Sequence, residues 1–278
     1  MDSRTTGVVL FGDVEDSRDH AGASTAWLET LRARLDRTYG SQRLADFEFT
    51  QGDEIQGLLA PDADPFHAVL DATLRPHEGR GAAPRMRWVV AAGPVDPGRG
   101  PATRRTGTAF VVARETLDAM RRDRDRLRCR TGDPEADALL DGTAPVAAAL
   151  IDAMTDRQRE VARLALVEGL RQSDIADRLG VARATVSVSF GRGGVRNLGR
   201  LVEAIRAIWR DGIARAGSAG TGTAGAPIGA SAPSSVNAAG TPSSAGAASS
   251  ATAPSSASAP SPTAAPTAAT APTPASAA

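Results

Sequence analysis

From Met154 to Leu198 the chain reads MTDRQREVARLALVEGLRQSDIADRLGVARATVSVSFGRGGVRNL, which spells three short helices around a glycine corner. Thr155 followed by Gln158 is a capping-box pattern, and Val161, Leu164, Ala165 and Leu170 recur at near-helical spacing, so a first amphipathic helix is expected over 156–168, ended by Gly169. A second, over 171–179, puts Ile175, Ala176 and Leu179 on one face. Small Ala176 lets the next helix approach closely, Gly180 permits the left-handed turn, and Val181 plugs the corner. A third helix beginning near Ala182 turns Val186 and Phe190 inward and leaves Ala184, Ser187, Val188 and Gly191 on outer or flanking faces. Two helices around such a corner make a helix-turn-helix, whose last helix is shaped to enter a DNA major groove.

Residues 155–198 resemble the DNA-binding modules of LuxR-type regulators and of the fourth region of sigma factors, most specifically in DIADRLGVARATVS. The resemblance implies double-stranded DNA as partner, base-facing positions at Ser187, Val188 and Gly191, and phosphate-facing positions at Arg183, Thr185 and Arg192. Members often carry basic side chains where Ser187 and Gly191 stand. Gly191, Gly193 and Gly194 each also weaken a helix by about 1 kcal/mol relative to alanine. Weak base readout makes RNA polymerase an alternative partner for the same helices. Helix-turn-helix proteins commonly use two half-sites, so a homodimer is expected, although no dimerisation seam is legible.

Charge is distributed unevenly. Thirty-two basic and 32 acidic residues cancel over the 278-residue chain, and no lysine occurs, so every basic side chain is arginine. Between Asp156 and Arg215 there are 12 arginines against 7 carboxylates, a local +5 that suits a polyanion. The preceding Asp133–Ala153 has five acids and no base, and reads as an acidic connecting helix able to shield the basic module over about 8 Å at physiological salt.

Four regions result: an α/β domain over 1–132, the acidic helix over 133–153, the helix-turn-helix domain over 154–212, and an Ala/Ser/Pro/Thr-rich tail over 217–278. The tail has no charge and almost no apolar bulk, so disorder is expected. No run approaches the ~18 apolar residues of a membrane span, and the N-terminus turns acidic too early for a signal peptide. The single Cys129 has no partner for a disulfide and fits a reducing compartment. A cytoplasmic location is expected, with no membrane partner.

The first domain opens on an apolar run, Gly7–Phe11, ending in Gly12-Asp13, which suggests a buried strand delivering a carboxylate at its end. A helix over 25–39 follows, then strands over 47–50 and 55–59 joined by QGDE, a hairpin whose tip carries Asp53. A helix over 65–74, a strand over 86–92, a helix over 108–122 and a strand over 126–131 complete a βαββαβαβ order. Asp13 and Asp53 then lie within reach of one another. They are candidate ligands for a hard cation, or, as for most aspartates at strand ends, turn and capping residues. Ser17-Arg18, Arg104 and Arg105 are candidate anion contacts; His20, His67 and His77 are scattered and carry no assigned chemistry.

With FGDVEDSR and QGDEIQGLL as landmarks, Val8 to about Arg130 resembles the SatD family, and more distantly the palm domain of class III nucleotidyl cyclases. The resemblance implies an α+β, ferredoxin/cyclase-like palm, with Asp13 and Asp53 at the positions that hold Mg²⁺ in the cyclases. GTAFVVARETL resembles the helix that in the cyclases supplies an Asn and an Arg to the reacting phosphates; Val111 stands where the Asn is expected and Arg114 close to the Arg position. With that Asn and any lysine missing, active cyclisation is not expected. A ligand-sensing or assembly role is the first expectation for this domain, and a divalent-metal-dependent nucleotide site the alternative.

Overall fold

The structure, a computed structural model, describes residues 5–15, 21–50, 53–76 and 83–221. Ser17, Arg18, His20, His77 and the tail from residue 222 lie outside them. In chain order the elements are β1 (Thr5–Val14), α1 (Ala21–Tyr39), β2 (Arg43–Phe49), β3 (Glu54–Leu59), α2 (Pro65–Thr73), β4 (Met86–Val95), α3 (Thr108–Asp123) and β5 (Leu127–Arg130). Then come α4 (Pro134–Asp152), α5 (Asp156–Leu166), α6 (Gln172–Leu179), α7 (Arg183–Arg192) and α8 (Val195–Thr221). The strands form one mixed sheet in the order β2-β3-β1-β4-β5, antiparallel throughout except where β5 joins β4 in parallel. The fold is α+β.

Central strand β1 is buried on both faces, which is why it reads as an unbroken apolar run. Val8, Leu10 and Val14 point to the side covered by α1 and α2, where Leu31, Leu35 and Phe66 pack. Val9 and Phe11 point to the other side, under Ala109, Ala113, Leu117 and Met120 of α3. Helix α3 starts where it does because Gly107 has φ +134° and the chain passes so close that an added Cβ would sit 2.6 Å from the Val95 backbone.

The apolar core does not stop at the sequence boundaries of 132 and 153. Leu140, Ala144, Ala147 and Ile151 of α4 and Val195, Leu198, Val202, Ile205 and Trp209 of α8 continue the cluster that contains Val8 and Phe66. Trp209 meets Phe66 edge-on, with ring centroids 5.8 Å apart. Arg206 of α8 also reaches Asp64, the N-cap of α2, at 2.7 Å. All described residues fall within one compact unit, Met1–Pro227. Helix α8 runs to Thr221, past the expected limit at 212, and folds back along α4 and the sheet.

The acids of α4 and its N-cap are tied to individual arginines, one in α8 and two in the α/β part, and do not spread over α7. Asp133 caps α4 and binds Arg215 at 2.9 Å, Asp141 binds Arg130 at 2.7 Å, and Asp152 binds Arg126 at 2.8 Å. Asp137 accepts hydrogen bonds from the backbone N–H and hydroxyl of Thr131. Coulomb attraction at these separations exceeds anything a screened, distant surface offers. Among the described residues, no helix is long and apolar enough to cross a membrane. Cys129 is fully buried in β5, and that burial pushes its thiol well above the usual range, so it packs as an inert side chain.

Candidate functional site

Helices α5 to α7 are built by local chemistry. Thr155 and Gln158 close a complete capping box: the Gln158 N–H donates to Thr155 Oγ1 and the Thr155 N–H to Gln158 Oε1 at 2.9 Å. Gly180 ends α6 at φ +62°, and the Val181 N–H donates back to the Ala176 carbonyl at 3.1 Å, fixing the corner before α7. Val161, Leu164, Ile175, Ala176 and Val186 form a small buried core, with Leu170, Leu179, Val181 and Phe190 closing its rim.

That core uses only Val186 and Phe190 from α7. The six positions singled out from the sequence, Arg183, Thr185, Ser187, Val188, Gly191 and Arg192, are all exposed, as is Ala184. Val188 is 51 % accessible, and a Cβ added at Gly191 would meet nothing within 4 Å. Charge reinforces the shape. From Arg178 to Val202 the chain carries five arginines and no carboxylate. Arg183 and Arg192 of α7 and Arg196 and Arg200 of α8 are exposed and have no ion-pair partner among the described residues. In the α/β part, by contrast, Arg43, Arg75, Arg87, Arg126 and Arg128 are each committed to one or more carboxylates within 3.3 Å.

The second region lies at one end of the sheet on the α3 side. Asp13 is directly opposite Glu54, not Asp53, in the β1–β3 register, and both residues are 5 % exposed. Asp53 sits in the bend before β3, its carbonyl accepting a hydrogen bond from the Val14 N–H at 3.2 Å. Arg121 of α3 binds Asp13 at 2.8 Å and lies 3.8 Å from Glu54; Arg87 of β4 lies 3.3 Å from Asp13. Arg114 forks onto both oxygens of Glu54 at 2.5 and 2.6 Å, while its guanidinium stands 4.8 Å from the Phe11 ring centroid. The hydrogen bond to Glu54 pushes Arg114 above its ordinary pKa, and the one to Asp13 does the same for Arg121.

Sequence reasoning singled out Asp13 and Arg114 but not Arg87 and Arg121, and took Asp53 in place of Glu54 as the partner of Asp13. The readable signal was that Arg114 and Arg121 stand seven residues apart, on one face of an exposed-to-buried helix. Val111 is 57 % exposed. Arg105 donates to the Leu44 and Asp96 carbonyls, as a loop brace.

The residues fit a resident divalent cation poorly. Mg²⁺ requires free oxygen ligands, whereas the space between Asp13 and Glu54 is held by the Arg121 guanidinium, and among the described residues no group of three or more His, Cys, Asp or Glu converges. Millimolar Mg²⁺ is therefore expected to leave the thermal midpoint unchanged. A dose-dependent rise in a melting experiment, lost in Asp13→Ala, would restore a metal site. No protein-family model matches the chain, and no curated protein does.

Proposed function

We propose that this protein is a DNA-binding transcriptional regulator, with α6 and α7 as a helix-turn-helix, α7 as its recognition helix, and the α/β part as a ligand-sensing or assembly domain. The observation that carries it is the outer surface of α7 and the start of α8: uncovered, free of carboxylates, and bearing four arginines without ion-pair partners among the described residues. Elsewhere such arginines would be solvated individually. Here they flank a helix whose inner face alone is used for packing, the arrangement by which a recognition helix lies in a major groove.

The β2-β3-β1-β4 order with antiparallel neighbours supports a ferredoxin-like or palm-like ancestry for the first part. Assembly as a homodimer would use the outer side of α4. Leu139, Val146 and Leu150 are 51, 50 and 42 % exposed on a helix whose other face is buried, and an antiparallel twofold pairing would bring each Leu139 to the other copy's Leu150. The nucleotide-binding alternative keeps only the position of Asp13 in its favour, since Arg121 stands where the cation would.

Anisotropy of a labelled duplex titrated at several salt concentrations tests DNA binding. Log affinity is expected to fall linearly with log salt, with a slope of about −0.9 per phosphate contacted. The stoichiometry of the same titration reports whether one or two copies bind. Absence of binding at low salt rejects the regulator.

A further inference from the structure

The outward strip of α7 consists of Ala184, Ser187, Val188 and Gly191, at i, i+3, i+4 and i+7 and all exposed. None of these carries the two-pronged donor and acceptor groups with which Arg, Asn, Gln or Glu distinguish base edges. Ser187 offers a single short hydroxyl, which accepts either kind of partner. What remains is apolar contact and close approach. Val188 is the largest side chain on the strip and 51 % exposed, while Gly191 one turn on leaves the helix surface open.

An apolar peptide is a poor occupant for this strip. Arg183 stands at its start and Arg192 at its end, with Arg196 and Arg200 beyond, and no carboxylate lies between Arg178 and Val202. Such a rim selects a polyanion. In the major groove one base displays an apolar group, the 5-methyl of thymine, and small aliphatic side chains are its usual partners. Resting on the DNA binding proposed above, we propose that Val188 reads a thymine methyl, with Arg183, Arg192, Arg196 and Arg200 holding flanking phosphates. Site preference therefore comes from methyl contact and groove shape, not from paired hydrogen bonds to base edges.

Deoxyuridine removes the methyl and keeps every hydrogen-bonding edge, so it isolates this contact. A short random duplex pool is enriched by rounds of binding to the full chain, then resynthesised with thymidine or with deoxyuridine. The wild-type protein is expected to bind the deoxyuridine pool about fourfold more weakly per methyl contacted, equivalent to ~0.8 kcal/mol. Val188→Ala, which keeps only one methyl of the valine, is expected to lose most of the thymidine preference. Equal binding of the two pools by wild type overturns methyl reading while leaving DNA binding intact, and so does a thymidine preference undiminished in Val188→Ala. Failure to bind either pool at low salt removes DNA binding itself.

Discussion

Arg159→Ala is expected to destabilise the protein by ~3–5 kcal/mol, the largest effect of any single arginine. Arg159 lies in the first turn of α5, where an arginine ordinarily points to water, yet it is 2 % exposed. Its guanidinium donates to the carbonyls of Thr73 at 3.2 Å, Asp152 at 3.0 Å and Met154 at 3.2 Å. Thr73 and Asp152 are the last residues of α2 and α4, so one cation closes two helix C-termini, where orphan carbonyls and the negative end of the helix dipole coincide. The carboxylate of Asp152 is already bound to Arg126 and stays 3.9 Å away, which leaves the carbonyls as the principal partners. Burial presses the Arg159 pKa below its ordinary value, and the charge survives because these dipoles surround it.

Alanine at 159 strips three buried carbonyls of their donor and leaves a void, two penalties that add. For an ordered region of this size each kcal/mol moves the midpoint by roughly 2–4 °C, so thermal melts should show a drop of about 10 °C. Lysine has no planar fork to span carbonyls from three places, so Arg159→Lys is expected to recover less than half of the loss. Denaturant curves showing both variants within about 0.5 kcal/mol of wild type, the range of ordinary surface changes, would mean that the two helix ends are held together by something else.

Arg159 also shows what the amino-acid sequence hides. The capping box at Thr155, the corner at Gly180 and the inward pair Val186 and Phe190 are local chemistry, and the three helices stand within two residues of their expected bounds. The order of strands and helices in the α/β part was legible too, because β1 is apolar on both faces and Pro, Gly or a cap punctuates the chain, but α1 and β2 each begin four residues before their expected starts and β1 and β4 each run three past their expected ends. Partners across the fold were not. Period 3.6 marks Arg159 as the polar side of α5, and nothing local reveals that α2 and α4 bring their ends to it. The register of β3 against β1 is a long-range property: a shift of one residue exchanges Asp53 for Glu54 opposite Asp13 and turns every β3 side chain to the other face, and packing on both sides of the buried sheet decides between the two. Likewise, Val202, Ile205 and Trp209 announce an apolar stripe on α8 without saying that the sheet domain and α4 cover it.

Charge counting has the same blind spot, since a +5 excess does not separate arginines already spent on carboxylates from those still free to bind. Pairing in three dimensions makes the distinction and leads to the largest functional effect expected. A variant with Arg183, Arg192, Arg196 and Arg200 all changed to glutamine should keep the wild-type melting curve, because these side chains are exposed, hold no carboxylate among the described residues, and glutamine matches arginine in helix preference. Its affinity for duplex DNA should fall by about a thousandfold at physiological salt, and the salt slope should shrink by roughly 3.6, as four released counterions are lost. The control is a second variant in which Arg37, Arg85, Arg104 and Arg122, also exposed, become glutamine. Both variants lose four positive charges, so a protein that attracts DNA only through net charge would be weakened equally by either. Screening over about 8 Å confines the effect to charges that touch the backbone, so the control should bind within a few-fold of wild type. Equal losses in the two variants would place the nucleic acid somewhere other than α7, and an unchanged slope in the first would show that these four arginines meet no phosphate.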